Sequence, residues 1–264
     1  MKLNTEKMIG EKEGGIGWMT FNNPARRNAM SLEMWEAVET ILNNFEEDNE
    51  IKVIVMKGAG DKAFVSGADI SEFKERRNNA EAAAEYARIS EGARARLNAV
   101  KKPLIAMIQG YCLGGGMAVA MAADMRFASE DSQFGIPAAR LSIAYGFDGL
   151  HKLVHLVGPA MASEIMFTAR RILPEEAQQI GLINRAVPLN ELNSAVREVA
   201  DAICRNAPLS IAASKHTIGQ ILADKDERDY AEIKRLSQVC FDSNDYKEGR
   251  EAFMEKRSPV FTGS

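Results

Sequence analysis

The chain has 264 residues, 46% hydrophobic and 27% charged, which is enough apolar material for one large domain or two small ones. Its 33 basic and 37 acidic residues give a formal net charge of −4, which argues against broad binding to nucleic acid or to an anionic membrane. We expect a soluble cytoplasmic protein without a leader or membrane span. The Lys- and Glu-rich start lacks an apolar segment, no stretch reaches about 18 apolar residues, and three widely spaced cysteines suit a reducing compartment.

The first half of the chain alternates short apolar strands with helices. Strands are predicted at 15–21, 51–56, 103–109 and 125–128, and helices at 32–48, 80–100 and 117–123. Ser31 is the predicted N-cap of the first helix. Strands separated by helices favour crossover connections, and their continuous apolar character suits a largely parallel sheet that is covered on both faces.

Beyond about residue 158 the pattern becomes helical. Helices are predicted at 174–180, 189–206, 208–222, 227–241 and 245–257, divided by Pro, Gly, Asn and Asp. The sequence therefore predicts an α/β core at 1–190 followed by a helical region at 191–264.

Most common catalytic and nucleotide-binding motifs are absent from the sequence. It contains no GxSxG, HExxH, GxxxxGK[ST] or GxGxxG pattern. His151 and His155 are four residues apart and can share a helix face, but no third ligand has a diagnostic spacing. We therefore expect no metal site.

Two glycine-rich segments follow predicted strands and precede helices: KAFVSGADI at 62–70 and GYCLGGG at 110–116. Glycine lets backbone approach a ligand closely, and the first N–H groups of a helix point outward at its positive end. Two such turns that face each other can direct two N–H donors at one oxygen, as stabilisation of an enolate or tetrahedral oxyanion requires. The alternative is that both are tight turns needed only for packing.

Together with QFGIP at 133–137 and GLIN at 181–184, these segments resemble the crotonase (enoyl-CoA hydratase/isomerase) superfamily over almost the whole chain. The resemblance implies an α/β fold whose core at 1–190 is a spiral of ββα turns. It implies that the helical region at 191–264 assembles the chain into a homotrimer or a dimer of trimers. The implied substrate is an acyl-CoA thioester, with coenzyme A entering as part of the substrate and no permanently bound cofactor.

The resemblance also implies roles for individual residues. The backbone N–H groups of Ala68 and Gly115 correspond to the family's oxyanion hole for the thioester carbonyl. The implied contacts to the coenzyme A portion come from Ala25, Arg26, Ala68, Asp69, Ile70, Phe253 and Lys256, the last of which serves a neighbouring subunit. Without the resemblance, the basic residues in this set would be interpreted as solvent-exposed surface residues.

The family's hydratases use two glutamates as acid and base, and the matching positions here are Ala118 and Ala138. Alanine transfers no proton, so the usual two-glutamate hydration cannot operate. Tyr145 and Asp148 are the nearest candidates. Alternatively, Tyr145 is a core aromatic whose hydroxyl satisfies a backbone group, and Asp148 is a helix cap.

Three functions remain open from the sequence. The first is an acyl-CoA lyase or isomerase of the enoyl-CoA hydratase type that uses non-standard groups such as Tyr145 and Asp148. The second is a decarboxylase of a malonyl-type CoA ester, suggested by the two alanines and by Tyr145. The third is a CoA-ester-binding protein without catalytic activity.

Overall fold

The computed structural model describes residues 1–69, 71 and 80–264. Its strands are β1 (Met8–Glu13), β2 (Ile16–Phe21), β3 (Val53–Gly58), β4 (Ala63–Val65), β5 (Leu104–Ile108), β6 (Tyr111–Leu113), β7 (Met125–Ser129), β8 (Gln133–Gly135) and β9 (Arg185–Val187). Six of them form one sheet in the order β1-β2-β3-β5-β7-β9, and three form a second sheet in the order β4-β6-β8. All pairings are parallel except β1 with β2, which confirms the predicted α/β class with largely parallel strands.

The chain moves alternately between the two sheets as it advances. Strands β3, β5 and β7 lie in the large sheet, and each is followed by a strand of the small sheet, β4, β6 and β8. A helix follows each of these pairs, so the core is a spiral of three ββα turns. Because the small-sheet strands are parallel, the loops that leave them emerge at one edge of that sheet.

The helices are α1 (Leu32–Glu47), α2 (Ala80–Asn98), α3 (Gly115–Ala122), α4 (Phe147–Thr168), α5 (Pro174–Gln179), α6 (Leu192–Arg205), α7 (Pro208–Leu222), α8 (Tyr230–Asp242) and α9 (Asn244–Glu255). Helix α1 shows how the core forms, because its apolar residues recur at helical spacing and seven of its sixteen residues are buried. Helix α4 is interrupted at Gly158, because this residue has a non-helical φ of 78° and the next residue is Pro159.

Several details differ from the sequence predictions. The short strands β4, β6, β8 and β9 were not predicted. Strand β1 was not predicted, because its second half, Glu11–Lys12–Glu13, is exposed at the edge of the sheet and has no apolar alternation. The interpretation of Asp148 as a helix cap is wrong: the N-cap of α4 is Gly146, and Asp148 lies inside the first turn. An acidic residue there still interacts favourably with the positive end of the helix.

Within the described residues, no helix combines the length and apolar character needed to cross a membrane. The cysteines at 112, 204 and 240 are all free thiols. In the part of the chain that the structure describes, no cluster of three or more His, Cys, Asp or Glu side chains could hold a metal ion. The imidazole rings of His151 and His155 contact each other instead, with centroids 4.2 Å apart.

Candidate active site

Parallel pairing of β4 with β6 brings the two glycine-rich segments together. Val65 lies opposite Cys112 in this pairing, so the chain leaves both strands at the same edge. Beyond that edge the first strand continues into Gly67 and Ala68, and the second into Gly114 and Gly115. The strand topology alone therefore makes the two loops neighbours.

The backbone N–H of Ala68 is left without an acceptor by the way its loop is anchored. Met30 donates a hydrogen bond to the Gly67 carbonyl at 2.8 Å, and Asp69 donates one to the Met30 carbonyl at 2.9 Å. In a parallel bridge of this kind the residue between the two bonds points its own N–H the other way. Ala68 is itself exposed and lines a cavity.

The backbone N–H of Gly115 is free for a different reason: it is the first residue of α3. The first N–H groups of a helix have no partner within it, and they carry the positive end of the helix dipole. Gly114 precedes it and has φ 50° and ψ −110°, a conformation that residues with a Cβ disfavour. Its own N–H donates to the Gly135 carbonyl at 2.8 Å, which ties the turn to β8.

These two amides lie close together in the wall of one cavity. A Cβ built on Gly115 would lie 3.5 Å from the Ala68 nitrogen, and both residues line the cavity. Among the described residues neither N–H donates a hydrogen bond to the protein. The cavity has a volume of about 310 Å³, within the range typical of small-molecule sites.

The other described residues of the cavity wall lie on α1 and α2, outside the glycine-rich motifs. They are Trp35, Tyr86, Ala87, Ser90, Glu91 and Arg94. The last four recur at helical spacing and so share one face of α2. Sequence periodicity could have grouped them, but nothing in the sequence shows that this face looks towards the two amides.

Tyr145 lies beside the glycine turn. Its hydroxyl is 3.5 Å from the Gly114 carbonyl oxygen, too long for a strong hydrogen bond, and the absence of a side chain at Gly149 leaves room for its ring. Burial raises the pKa of the Tyr145 phenol, and the nearby positive charge of Arg94 opposes that rise in part. The phenol is therefore neutral at physiological pH and able to donate a hydrogen bond.

The other candidate acid–base positions offer less. Asp148 is exposed on the first turn of α4, and it is not among the residues that line the cavity. Ala118 lies one turn into α3, and Ala138 is buried in the short 3₁₀ helix Pro137–Leu141. Glu91 is the one carboxylate among the described residues of the cavity wall.

The turn at 24–29 is bonded directly to the Ala68 loop. Ser66 donates its backbone N–H to the Arg27 carbonyl at 3.1 Å. Ala25 and Arg26 are exposed on the short 3₁₀ helix Pro24–Arg26. A second cavity, of about 150 Å³, opens beside this turn and is lined by Pro24, Arg27, Asn28, Ala59, Asp61, Lys62 and Ala63.

Among the described residues, the other predicted contacts to coenzyme A do not line either cavity. Asp69 is buried and accepts hydrogen bonds from the backbone N–H and the hydroxyl of Ser71. Ile70 lies outside the described residues. Phe253 is 82% exposed near the end of α9, and Lys256 is the C-cap of that helix in a left-handed conformation.

The Asn28 side chain joins three backbone segments beside the site. Its buried amide donates to the carbonyls of Ala63 at 2.7 Å and Ala59 at 2.9 Å, and its side-chain oxygen accepts from the Asn23 N–H. We expect Asn28→Ala to lower the free energy of unfolding by about 3 kcal/mol, because buried groups lose their partners. Urea unfolding measures the effect.

Asn22→Ala is the matched control for that variant. The Asn22 side chain makes a single exposed hydrogen bond to the Glu6 carbonyl, so we expect its loss to cost less than about 1 kcal/mol. Equal stability of the two variants would contradict the role given to Asn28.

Comparison with known proteins identifies close relatives along the whole chain. The family model described as enoyl-CoA hydratase/isomerase matches residues 11–264. A short-chain-enoyl-CoA hydratase of Clostridium acetobutylicum is 37% identical over 257 residues, 97% of each chain. A carnitinyl-CoA dehydratase of Salmonella typhi is 34% identical over 266 residues, 98% of this chain and 99% of the relative.

A solved structure matches the fold equally well. The crystal structure of an enoyl-CoA hydratase/carnithine racemase from Magnetospirillum magneticum superimposes with a TM-score of 0.93 at 34% identity, covering 99% of this chain and 97% of the other. The predicted crotonase-type fold is thereby confirmed.

Proposed function

The chain belongs to the enoyl-CoA hydratase/isomerase family, and from that premise we propose that it transforms an acyl-CoA thioester through an enolate held between the Ala68 and Gly115 amides. Its relatives are enzymes of the lyase and isomerase type, and this chain is one as well. The observation that carries the proposal is that two N–H groups without protein acceptors lie close together in the wall of one cavity.

The two amides act on the thioester oxygen. When a bond to the carbon next to the carbonyl forms or breaks, negative charge moves onto that oxygen. Two fixed N–H donors stabilise the charge without reorganising, and the dipole of α3 adds to the effect at Gly115. Removing one such donor typically costs about 100-fold to 1,000-fold in turnover.

Proton transfer has to come from groups other than the usual pair of glutamates. Positions 118 and 138 carry alanine, which can neither give nor take a proton. Tyr145 is the proposed hydrogen-bond donor, since its phenol stays protonated beside the glycine turn. Asp148 is a weaker candidate because it is exposed, whereas Tyr145 is half-buried; neither is among the described residues that line the cavity.

Decarboxylation of a malonyl-type CoA ester is the second candidate. In that reaction the bond between the α-carbon and the carboxylate breaks, CO₂ leaves, and its electron pair forms the enolate that then takes up one proton. This needs an oxyanion site and a proton donor but no pair of carboxylates. The neutral phenol of Tyr145 and the two alanines favour it over ordinary hydration.

We assign the acyl group to the cavity of about 310 Å³ beside Ala68 and Gly115, which we call the acyl cavity. The rest of coenzyme A is assigned to the turn at 24–29 and the loop at 68–70, with Phe253 and Lys256 completing the site. The exposed cations Arg26 and Arg27 suit an anionic cofactor group. Phe253 and Met254 are both at least 80% exposed on α9, which fits a trimer or dimer of trimers in which this helix meets a neighbouring subunit.

Incubation with crotonyl-CoA and with methylmalonyl-CoA separates the candidates. Loss of the enoyl absorbance supports the hydratase or isomerase reaction, and release of CO₂ supports decarboxylation. Measurable binding of butyryl-CoA without turnover of either compound supports a binding protein. No binding of any CoA thioester would refute the proposal.

Tyr145→Phe tests the proposed proton donor. We expect turnover to fall by at least about 10-fold, because loss of a positioned acid typically costs more than that, while affinity for butyryl-CoA stays within a factor of about three. Tyr111→Phe is the control, since the Tyr111 ring lies under Arg27, a residue that lines the second cavity. Full activity of Tyr145→Phe would remove Tyr145 from the mechanism.

A further inference from the structure

The acyl cavity contains an arginine to which neither the motif search nor the oxyanion mechanism gives a role. Arg94 lies on α2, and its side chain is half-buried in the wall that also contains Ala68 and Gly115. An arginine is always charged, and a half-buried guanidinium is costly unless something compensates its charge. What Arg94 pairs with is therefore a question about the ligand.

The other two arginines of α2 are already paired. Arg88 makes an ion pair with Glu85 at 2.7 Å, and Arg96 makes one with Glu46. Arg94 has no carboxylate within 4.0 Å among the described residues. Its guanidinium carbon lies instead 5.6 Å from the centroid of the Trp35 ring, a contact that uses none of its N–H groups for an ion pair.

Arg94 shares the cavity wall with Ser90 and Glu91. Ser90 is one turn away on the same face of α2, and its hydroxyl donates to the Ala87 carbonyl at 3.2 Å. The positive charge of Arg94 opposes part of the rise that burial causes in the pKa of the Tyr145 phenol, which keeps its proton. Glu91 is the opposing charge, but its side chain is exposed, and water and salt screen its repulsion.

We propose that Arg94 recognises a free carboxylate on the acyl group, so that the preferred substrates are CoA monothioesters of dicarboxylic acids. This rests on the proposed function, because the same cavity holds the thioester oxygen at Ala68 and Gly115. A guanidinium binds a carboxylate through two parallel hydrogen bonds, a geometry that is specific as well as strong. The carboxylate it holds is one that stays on the product, since an ion pair with arginine stabilises the charged form and opposes its loss as CO₂.

Two matched pairs of CoA esters test this directly. Succinyl-CoA and butyryl-CoA both have a four-carbon acyl group, and glutaryl-CoA and valeryl-CoA both have five carbons; within each pair a carboxylate replaces a methyl group. Isothermal titration should show at least one dicarboxylic ester binding about 10-fold or more tightly than its alkyl partner. The preference should decrease as the salt concentration rises.

Arg94→Met should abolish that preference while leaving the affinity for the alkyl ester within about a factor of three. Methionine keeps an apolar side chain against Trp35, and Arg94→Lys, which retains the charge without the planar fork, should keep part of the preference. Arg88→Met is the matched control, because Arg88 lies on the same helix outside the cavity and should leave both affinities unchanged.

The outcomes distinguish this inference from the proposed function. Equal binding of both members of each pair by the wild-type protein would overturn the role of Arg94, and so would equal loss of both affinities in Arg94→Met. Either result leaves acyl-CoA binding intact. Failure of all four esters to bind would instead refute the proposed function. The wild-type comparison stands even if a variant does not fold.

Discussion

Gly115→Ala is expected to fold normally and to lose roughly 100-fold or more of its turnover. A Cβ at this position meets the Ala68 nitrogen at 3.5 Å and no atom closer, which is an ordinary contact, and the φ of Gly115 is not in the left-handed region. The added methyl group lies beside the Ala68 amide, in the space that we assign to the thioester oxygen. Chemistry is therefore lost while the fold is kept.

Steady-state kinetics on the active substrate and a thermal melt of the same preparation test this expectation. The affinity for butyryl-CoA is a second readout, and it should weaken by about 10-fold or more because the oxygen can no longer reach both donors. Unchanged turnover and unchanged affinity in a folded Gly115→Ala would show that the space between the amides is not used.

Gly116→Ala, one residue further along, is expected to fail at folding rather than at catalysis. A Cβ there would lie 1.9 Å from the Val65 carbonyl oxygen and 2.8 Å from its carbonyl carbon. Both belong to the backbone of β4, which pairs with β6 and cannot move aside cheaply. We expect the free energy of unfolding to fall by more than about 3 kcal/mol, at the upper end for overpacked cores.

Soluble yield and urea unfolding of Gly116→Ala measure that loss, and Gly115→Ala is its natural comparison. The two variants add the same methyl group to adjacent residues of α3, yet one should damage the site and the other the fold. A Gly116→Ala protein as stable as the wild type would mean that α3 does not approach β4 as closely as described.

The local elements were largely predictable because apolar residues recur at regular spacing. Helix α1 was predicted over 32–48 and spans Leu32–Glu47, and α7 was predicted over 208–222 and spans Pro208–Leu222. Strand β1 was missed because an edge strand with a polar outer half has no alternation to detect. The alternation of strands between two sheets depends on long-range pairing, which no local pattern contains.

The candidate site also contains residues that the sequence predicts and residues that it does not. The Ala68 and Gly115 turns were found because glycine-rich segments at strand-to-helix junctions are visible in one dimension, and the family resemblance assigned them a role. Arg94 was not found, because an arginine in an ordinary polar helix looks like solvated surface. Only the packing of α2 places Arg94 in the wall of the cavity that also contains Ala68 and Gly115.

The central claim is that a thioester oxygen lies between the amides of Ala68 and Gly115. A crystal structure of the protein with a non-reactive acyl-CoA tests it most directly. We expect the thioester oxygen at about 2.7–3.1 Å from both backbone nitrogens. An acyl-CoA bound elsewhere, or with its carbonyl turned away from both amides, would refute the proposed oxyanion hole.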